Sequence, residues 1–335
     1  MSTILTTQRL TLREYEASDF APLHEIFSDP DTMQHYPAPF TEEKTKSWIK
    51  RNQDRYINDG FGLWAVVLKS TGEVIGDCGL TLQNIDGEML PEIGYHINKN
   101  YQRQGYGKEA AQAVRDWAFL NTKYDAIYSY MKYTNVGSYS TAISNGMKFI
   151  KEYPDEINTF TRVYAITRDE WKQIYFTMSP ANTKDKDDIF ALYKMQIGRE
   201  FCPWNDHYPA IDNINQDLEL DSLFVLKNRH GDIIGAISLD HDEQVDELPC
   251  WSAALQPAGE MARVAIHPDY QGHGLAHDMV KYLMATLKTR GYKSLHFMVN
   301  IHNVKALRSY EKLQFTKVGE THMYDQPFFC YEKEL

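Results

Sequence analysis

Two short glycine-rich stretches carry the residue types from which a chemical site could be built. The first is Gln102-Arg103-Gln104-Gly105-Tyr106-Gly107 and the second Gln271-Gly272-His273-Gly274-Leu275-Ala276. Each follows a run with strand character and leads directly into a run with helical spacing. The first N–H groups of a helix lack intrahelical acceptors and sit at its positive end, so such a turn is an anion site suited to a pyrophosphate. Glycine matters there because a Cβ would keep the phosphate away from the backbone. Gly105-Tyr106-Gly107-Lys108-Glu109-Ala110 satisfies the GxGxxA dinucleotide pattern, but it follows several strands rather than the first, and the second copy breaks the pattern. Neither copy ends in the Gly-Lys-Ser/Thr of a phosphate P-loop. A plain strand-to-helix turn is the remaining bland reading, and its recurrence at matching spacing counts against it.

The elements that must position these loops occur twice. The loops are offset by 169 residues, Asn135 and Asn303 by 168, and Gly146-Met147 and Gln314-Phe315 by 168. Earlier, Gly72-Glu73-Val74-Ile75-Gly76 matches Gly231-Asp232-Ile233-Ile234-Gly235 at an offset of 159. The chain is therefore read as a tandem repeat, with about ten extra residues in the second half between Asp240 and Gly259. Each half opens with a strand (Leu10-Arg13; Tyr175-Met178) and an Asp-rich turn that caps a helix. Paired strands follow at Gly62-Leu68 and Val74-Leu80, and at Leu223-Lys227 and Ile233-Leu239. A further strand (Glu92-Ile97; Glu260-Ile266) enters the glycine loop, and helices are expected over Glu109-Leu120 and His277-Thr289. A strand, a short helix and a last strand close each half (Ala126-Met131 and Thr161-Ile166; Ser294-Val299 and Phe328-Glu332). The pattern predicts two α/β domains with mixed sheets, over residues 1-170 and 173-335, joined through charged residues near Thr167-Lys172.

With a strand before it and a helix after it, Q/R-x-x-G-x-G/A resembles the acetyl-CoA pyrophosphate loop of the GNAT superfamily of N-acetyltransferases, and the likeness covers nearly the whole chain. Arg263-Val264-Ala265-Ile266-His267-Pro268-Asp269-Tyr270 resembles that family's fourth strand and entry turn. Glu92-Ile93-Gly94-Tyr95 leading to Asn100-Tyr101-Gln102 is similar to the subgroup that acetylates protein N-termini, including ribosomal-protein alanines. Asn303-Val304-Lys305-Ala306-Leu307-Arg308-Ser309-Tyr310-Glu311-Lys312 resembles the family's N-x-x-A-x-x-x-Y-x-K element.

The resemblance implies acetyl-CoA as cofactor and direct attack by an amine, with no covalent enzyme intermediate. Backbone groups near Tyr95-Ile97 and Val264-Ile266 would hold the pantetheine arm, and the residues of both glycine loops the pyrophosphate. Tyr310 falls where many members place the Tyr that protonates the coenzyme A thiolate; otherwise it is a core aromatic. Asn135 and Asn303 would hold the cofactor or cap their helices. Seven residues on from Asn135 stands Ala142, so the first half lacks that Tyr. Ser138 would substitute, or that half binds coenzyme A without efficient turnover. Glu92 and Glu260 are the candidate bases, with an exposed strand residue as the alternative. Counted back from the loops, Glu260 lies one position early, so the two would face opposite sides unless a bulge intervenes.

Composition bounds the partners. The net charge of −11, without a dense Lys/Arg run, argues against nucleic acid. Cys78, Cys202, Cys250 and Cys330 are scattered without a CxxC pair, and His273 and His277 have no third ligand in the sequence nearby, so no metal or disulfide framework is expected. No apolar run approaches the ~18 residues of a membrane span, and the N-terminus lacks a signal-like pattern, so a cytoplasmic protein is expected. The expected function is N-acetylation of a small-molecule amine or peptide N-terminus, the C-terminal half being the more competent. The alternative is a coenzyme A-binding sensor without turnover. The acceptor pocket walls are expected from Asp31-Arg55 and Phe201-Asp217. Trp48, Trp64, Trp204 and Trp251 are expected in cores.

Overall fold

The computed structural model describes residues 3–200 and 202–335, and Met1, Ser2 and Phe201 lie outside the described residues. In the first unit, β1 (Thr3–Thr6) and β2 (Leu10–Arg13) lead into α1 (Phe20–Ser28) and α2 (Glu42–Asn58). Then come β3 (Leu63–Leu68), β4 (Val74–Ile85), β5 (Glu88–Ile97), α3 (Tyr106–Asn121), β6 (Ala126–Lys132), α4 (Val136–Ser144), β7 (Lys148–Asp155), β8 (Thr159–Thr167) and α5 (Arg168–Tyr175). The second unit repeats the order: β9 (Phe176–Pro180), α6 (Lys186–Lys194), α7 (Ile211–Glu219), β10 (Leu223–Asn228), β11 (Ile233–Asp240), the short α8 (Glu243–Asp246), β12 (Ala258–Ile266), α9 (Leu275–Thr289), β13 (Ser294–Asn300), α10 (Val304–Lys312), β14 (Thr316–Met323) and β15 (Gln326–Glu334).

The sheets are mixed, in the orders β1-β2-β3-β4-β5-β6-β8-β7 and β14-β15-β13-β12-β11-β10-β9. Only the β5–β6 and β12–β13 pairings are parallel among the described strands. The compact units are Met1–Ile174 and Tyr175–Leu335. Most of the charged stretch Thr167-Lys172, just before that division, folds as α5, and Trp171 stacks on Phe119 at 5.0 Å with its Nε1 donating to Asp116. Its charged neighbours in sequence conceal one deeply buried Trp.

The Asp-rich turns cap as their chemistry requires. Asp19 accepts from Glu16 N and from both terminal nitrogens of Arg13; Asp185 accepts from Asn182 N and Lys227 Nζ. Helix α1 buries Leu23, Ile26 and Phe27, and α6 buries the corresponding Ile189, Leu192 and Tyr193. The extra residues of the second half lie where their offset puts them. Gly76 pairs with Ile97 across a tight hairpin, whereas Gly235 pairs with Ile266, ten residues further apart, with α8 and an irregular segment between. Cys250 of that insertion and Cys330 of β15, distant in sequence, both lie against Gly319, and both are free thiols.

Candidate active site

The two glycine loops close on the same backbone conformation. Gly105 and Gly274 are the residues preceding α3 and α9, with φ of +85° and +74°, in the left-handed region that a side chain disfavours. Two positions earlier Gly272 has φ +85°, and its counterpart Arg103 takes φ +58° despite its Cβ. The side chains of Gln102 and Gln271 are engaged within the protein. Each donates its Nε2 to the last carbonyl of the incoming strand, Ile97 O at 2.9 Å and Ile266 O at 3.1 Å. They fix the loops to the strands. Leu275 is buried, so only its backbone can serve an anion. Sequence reasoning overlooked Arg9, whose Nη1 donates to Gln104 O, whose Nε pairs with Glu109 at 2.6 Å, and whose guanidinium lies 4.2 Å from the Tyr106 ring centroid.

Beyond each loop the parallel strands part. In the first unit the β5–β6 ladder is the pair Glu92–Tyr128, supported by Ser129 Oγ donating to Ile93 O. In the second it runs from Ala258–Ser294 to Glu260–His296 and ends there. From these points to the loops, β5 and β12 are bonded to β4 and β11 on one edge, while the other edge faces the widening fork. Such an edge offers N–H and C=O groups to an extended, amide-bearing ligand. The backbone of Tyr95, Ile97, Val264, Ala265 and Ile266 lies along these strands between fork and loop, the kind of edge a pantetheine arm would need. The side chains of Ile97, Ala265 and Ile266 are buried. Asn135 and Asn303 use their Oδ1 atoms to cap α4 and α10, accepting from Ser138 N and Ala306 N, both at 3.1 Å.

At the vertex of each fork stands a buried carboxylate, and the register mismatch between them is resolved by a bulge. Ala236 pairs with Ala265 and Ser238 with Ala262, so Ile237 of β11 faces both Arg263 and Val264 of β12. Arg263, at φ +48°, lies in the bulge. With that residue absorbed, Glu92 opposite Thr81 and Tyr128 matches Glu260 opposite Asp240 and His296. Neither is the exposed strand residue of the alternative reading: they are 8% and 7% exposed. Burial pushes Glu92 up to about 7, against a hydrogen bond from Thr81. Burial and the neighbouring Asp240 push Glu260 up to about 8.

The surroundings differ. In the second unit the Arg263 guanidinium is buried between Asp217 at 2.7 Å and Asp240 at 2.6 Å, which hold it charged. Burial raises Asp217 to about 6 even so. Asp242 N donates to Glu260 Oε2 at 3.3 Å, and Trp251 stacks on His296 at 4.3 Å. Tyr310 packs against Phe297 at 4.3 Å, where burial lifts its hydroxyl to about 12. In the first unit Tyr95 OH reaches Ser138 Oγ at 3.4 Å across the fork, and Ala142, at the place of Tyr310, is buried. Tyr139 turns away to stack on Tyr164. Trp48 packs against the core cluster beside Phe27 and Phe40 while donating to Asp77, Trp251 stacks on His296, and Trp64, against Trp117 at 4.8 Å, is core as expected. Asp31-Arg55 and the described part of Phe201-Asp217 are not merely loop walls, because most of α2 and α7 is formed from them.

Comparison with known proteins identifies the family of each half. A family model described as Acetyltransferase (GNAT) domain matches residues 9–148, and one described as Acetyltransferase (GNAT) family matches 189–315. "Uncharacterized N-acetyltransferase YnaD" of Bacillus subtilis is 32% identical over 173 residues, which is 50% of this chain and 98% of that protein. "Uncharacterized protein YkkB" of the same organism is 33% identical over 150 residues, 44% of this chain and 87% of its own. A solved GNAT-family acetyltransferase from Bacillus anthracis, 28% identical, covers 49% of this chain and 97% of its own with a TM-score of 0.42. The chain belongs to the GNAT acetyltransferase family and carries one such domain in each half.

Proposed function

We propose that the protein is an acetyl-CoA-dependent N-acetyltransferase that acts on the amine of a small molecule or peptide N-terminus, with the second unit the more competent. What supports this most is the shared placement of Glu92 and Glu260 at the vertex of the fork, buried, with affinities for a proton near neutrality. A base poised there accepts the amine proton at working pH and remains dry enough to be selective. Acetyl-CoA supplies the acetyl thioester. Residues of the chain do the rest: the loop N–H groups bind the pyrophosphate, the open strand edge orients the arm, and Glu260 Oε takes the amine proton. Tyr310, held protonated by its apolar surroundings, gives its hydroxyl proton to the departing sulfur.

Thiol release from acetyl-CoA, measured over a panel of amines, tests the proposal. Binding of acetyl-CoA without thiol release from any acceptor would favour the sensor instead. In a chain whose first loop is blocked by Gly105→Glu, Tyr310→Phe is expected to lower kcat by roughly 10²-fold or more while the Kd for acetyl-CoA stays unchanged. Unchanged turnover would remove Tyr310 from the proton-donor role.

A further inference from the structure

Asp77 and His96 face one another across β4 and β5. The corresponding cross-strand pair of the second unit is Ala236 and Ala265, buried in the apolar cluster with Ile189, Leu192 and Tyr193. The fold therefore closes with two alanines where the first unit buries a carboxylate and an imidazole. Burial of such groups is unfavourable unless they are fully paired, and here the pairing is extensive. Asp77 Oδ1 accepts from His96 Nδ1 at 2.7 Å and His96 N at 3.1 Å, and Oδ2 from Tyr15 OH at 2.7 Å and Trp48 Nε1 at 3.2 Å. Where the ring carries one proton, a carboxylate surrounded by donors holds it on Nδ1, which leaves Nε2 as an acceptor. Tyr36 OH fills it at 2.6 Å.

With its proton committed to His96, the Tyr36 oxygen keeps lone pairs for an outside donor. The residue as a whole is 40% exposed and its ring is braced edge-on by Phe40, while burial around the hydroxyl end raises its proton affinity. Tyr36 lies within electrostatic reach of Glu92 and Tyr130, and the preceding His35 within reach of Lys132 at the end of β6. Glu92 and His96 share a face of β5, and Glu92 Oε2 leans over Gly94 between them, 3.0 Å from where a Cβ on that glycine would stand.

We infer that Tyr36 is an acceptor-contacting residue of the first unit, its hydroxyl oxygen accepting an N–H of the incoming amine beside Glu92, with His96 and Asp77 as positioning residues. This rests on the proposal that the amine approaches Glu92. The contact aims the nitrogen lone pair away from Tyr36 and leaves proton removal to Glu92.

The test uses the full chain carrying Gly274→Glu, with benzylamine and an alanyl tripeptide as amine probes. Both the KM for amine in thiol release and the Kd for amine with coenzyme A present are measured, so a slow unit still gives a readout. Tyr36→Phe is expected to raise both roughly tenfold, the effect of one lost hydrogen bond, with the KM for acetyl-CoA unmoved and Tm lowered by only the few degrees that an unpaired His96 Nε2 costs. His96→Ala should match it, and His96→Gln, whose amide oxygen can accept the Tyr36 proton, should recover most of the loss. Unchanged amine affinity in Tyr36→Phe, an equal rise in acetyl-CoA KM, no advantage of Gln over Ala, or no saturable amine binding by the parent would each overturn the inference. If Glu92→Gln leaves turnover intact while Tyr36→Phe still weakens amine binding, the base assignment fails and the Tyr36 contact stands.

Discussion

Replacing either vertex carboxylate by its amide is expected to abolish most turnover of that unit and, at the same time, to make the unit more stable. Each variant is made in a chain whose other glycine loop is blocked, so that one site is read at a time. Loss of a positioned base costs on the order of 10²–10³ in kcat. With acceptor and acetyl-CoA saturating, kcat of the parent should rise with pH, levelling above about 7 for Glu92 and about 8 for Glu260, because only the ionised carboxylate accepts a proton. Glu92→Gln and Glu260→Gln should flatten that limb. A variant that keeps the parent's rate and pH profile would exclude its Glu as base.

Stability moves the other way. The unfolded Glu92 ionises near its ordinary 4.5, while the folded one holds its proton until about 7. Between those values the folded state binds more protons than the unfolded, so its stability falls as pH rises through the window and is flat above it. The loss is at most about 3 kcal/mol, and a glutamine does not incur it. Glu92→Gln should therefore melt with the parent at pH 4 and roughly 6–12 °C above it at pH 8.5. Equal melting at both values would mean that Glu92 titrates as an ordinary surface carboxylate.

Much of this was legible in the sequence. The glycine loops, the three offsets of 168 or 169 and the Asn-capped short helices repeat because the backbone needs particular residues at those points: φ above zero at Gly105 and Gly274, a side-chain acceptor at Asn135 and Asn303. Apolar runs located the central strands because they are buried on both faces. What escaped was patterned weakly. Helix α2 buries only Thr45 and Asn52 fully and leans on Trp48, Ile49 and Tyr56, so its apolar stripe is thin; Thr41 with Glu42 and Glu43 was the available signal. Strands β7 and β14 are outer strands, mostly exposed, and lack a hydrophobic face to announce them. The equivalence of Glu92 and Glu260 could not be counted from sequence, since one bulged residue hides it. Nor could Asp77, His96 and Tyr36 be joined: Tyr36 stands 60 residues from His96, in a segment between α1 and α2 that has no periodic pattern to place it.

Blocking the cofactor loops carries the other large effect, and it decides whether the repeat is a pair of sites or one site with a relic. A glutamate at position 105 or 274 does two things. It forces a Cβ into a left-handed backbone, which costs about 1–2 kcal/mol, and it sets a carboxylate where a pyrophosphate must lie. At 105 the new side chain would start 3.3 Å from Arg9 Nη2, so an ion pair there would occupy the anion's place. Calorimetry should find two acetyl-CoA per parent chain, one in each single variant and none in the double variant. Gly105→Ala and Gly274→Ala carry the strain without the charge and should weaken binding far less. A parent that binds a single equivalent would leave one loop vestigial, and the single variant that abolishes it would identify the working half. Survival of two equivalents in either glutamate variant would remove that loop from the cofactor site. Two binding events need not mean two equal catalysts: Ala142 stands where Tyr310 does, and Thr81 lies opposite Glu92 where the acidic Asp240 lies opposite Glu260.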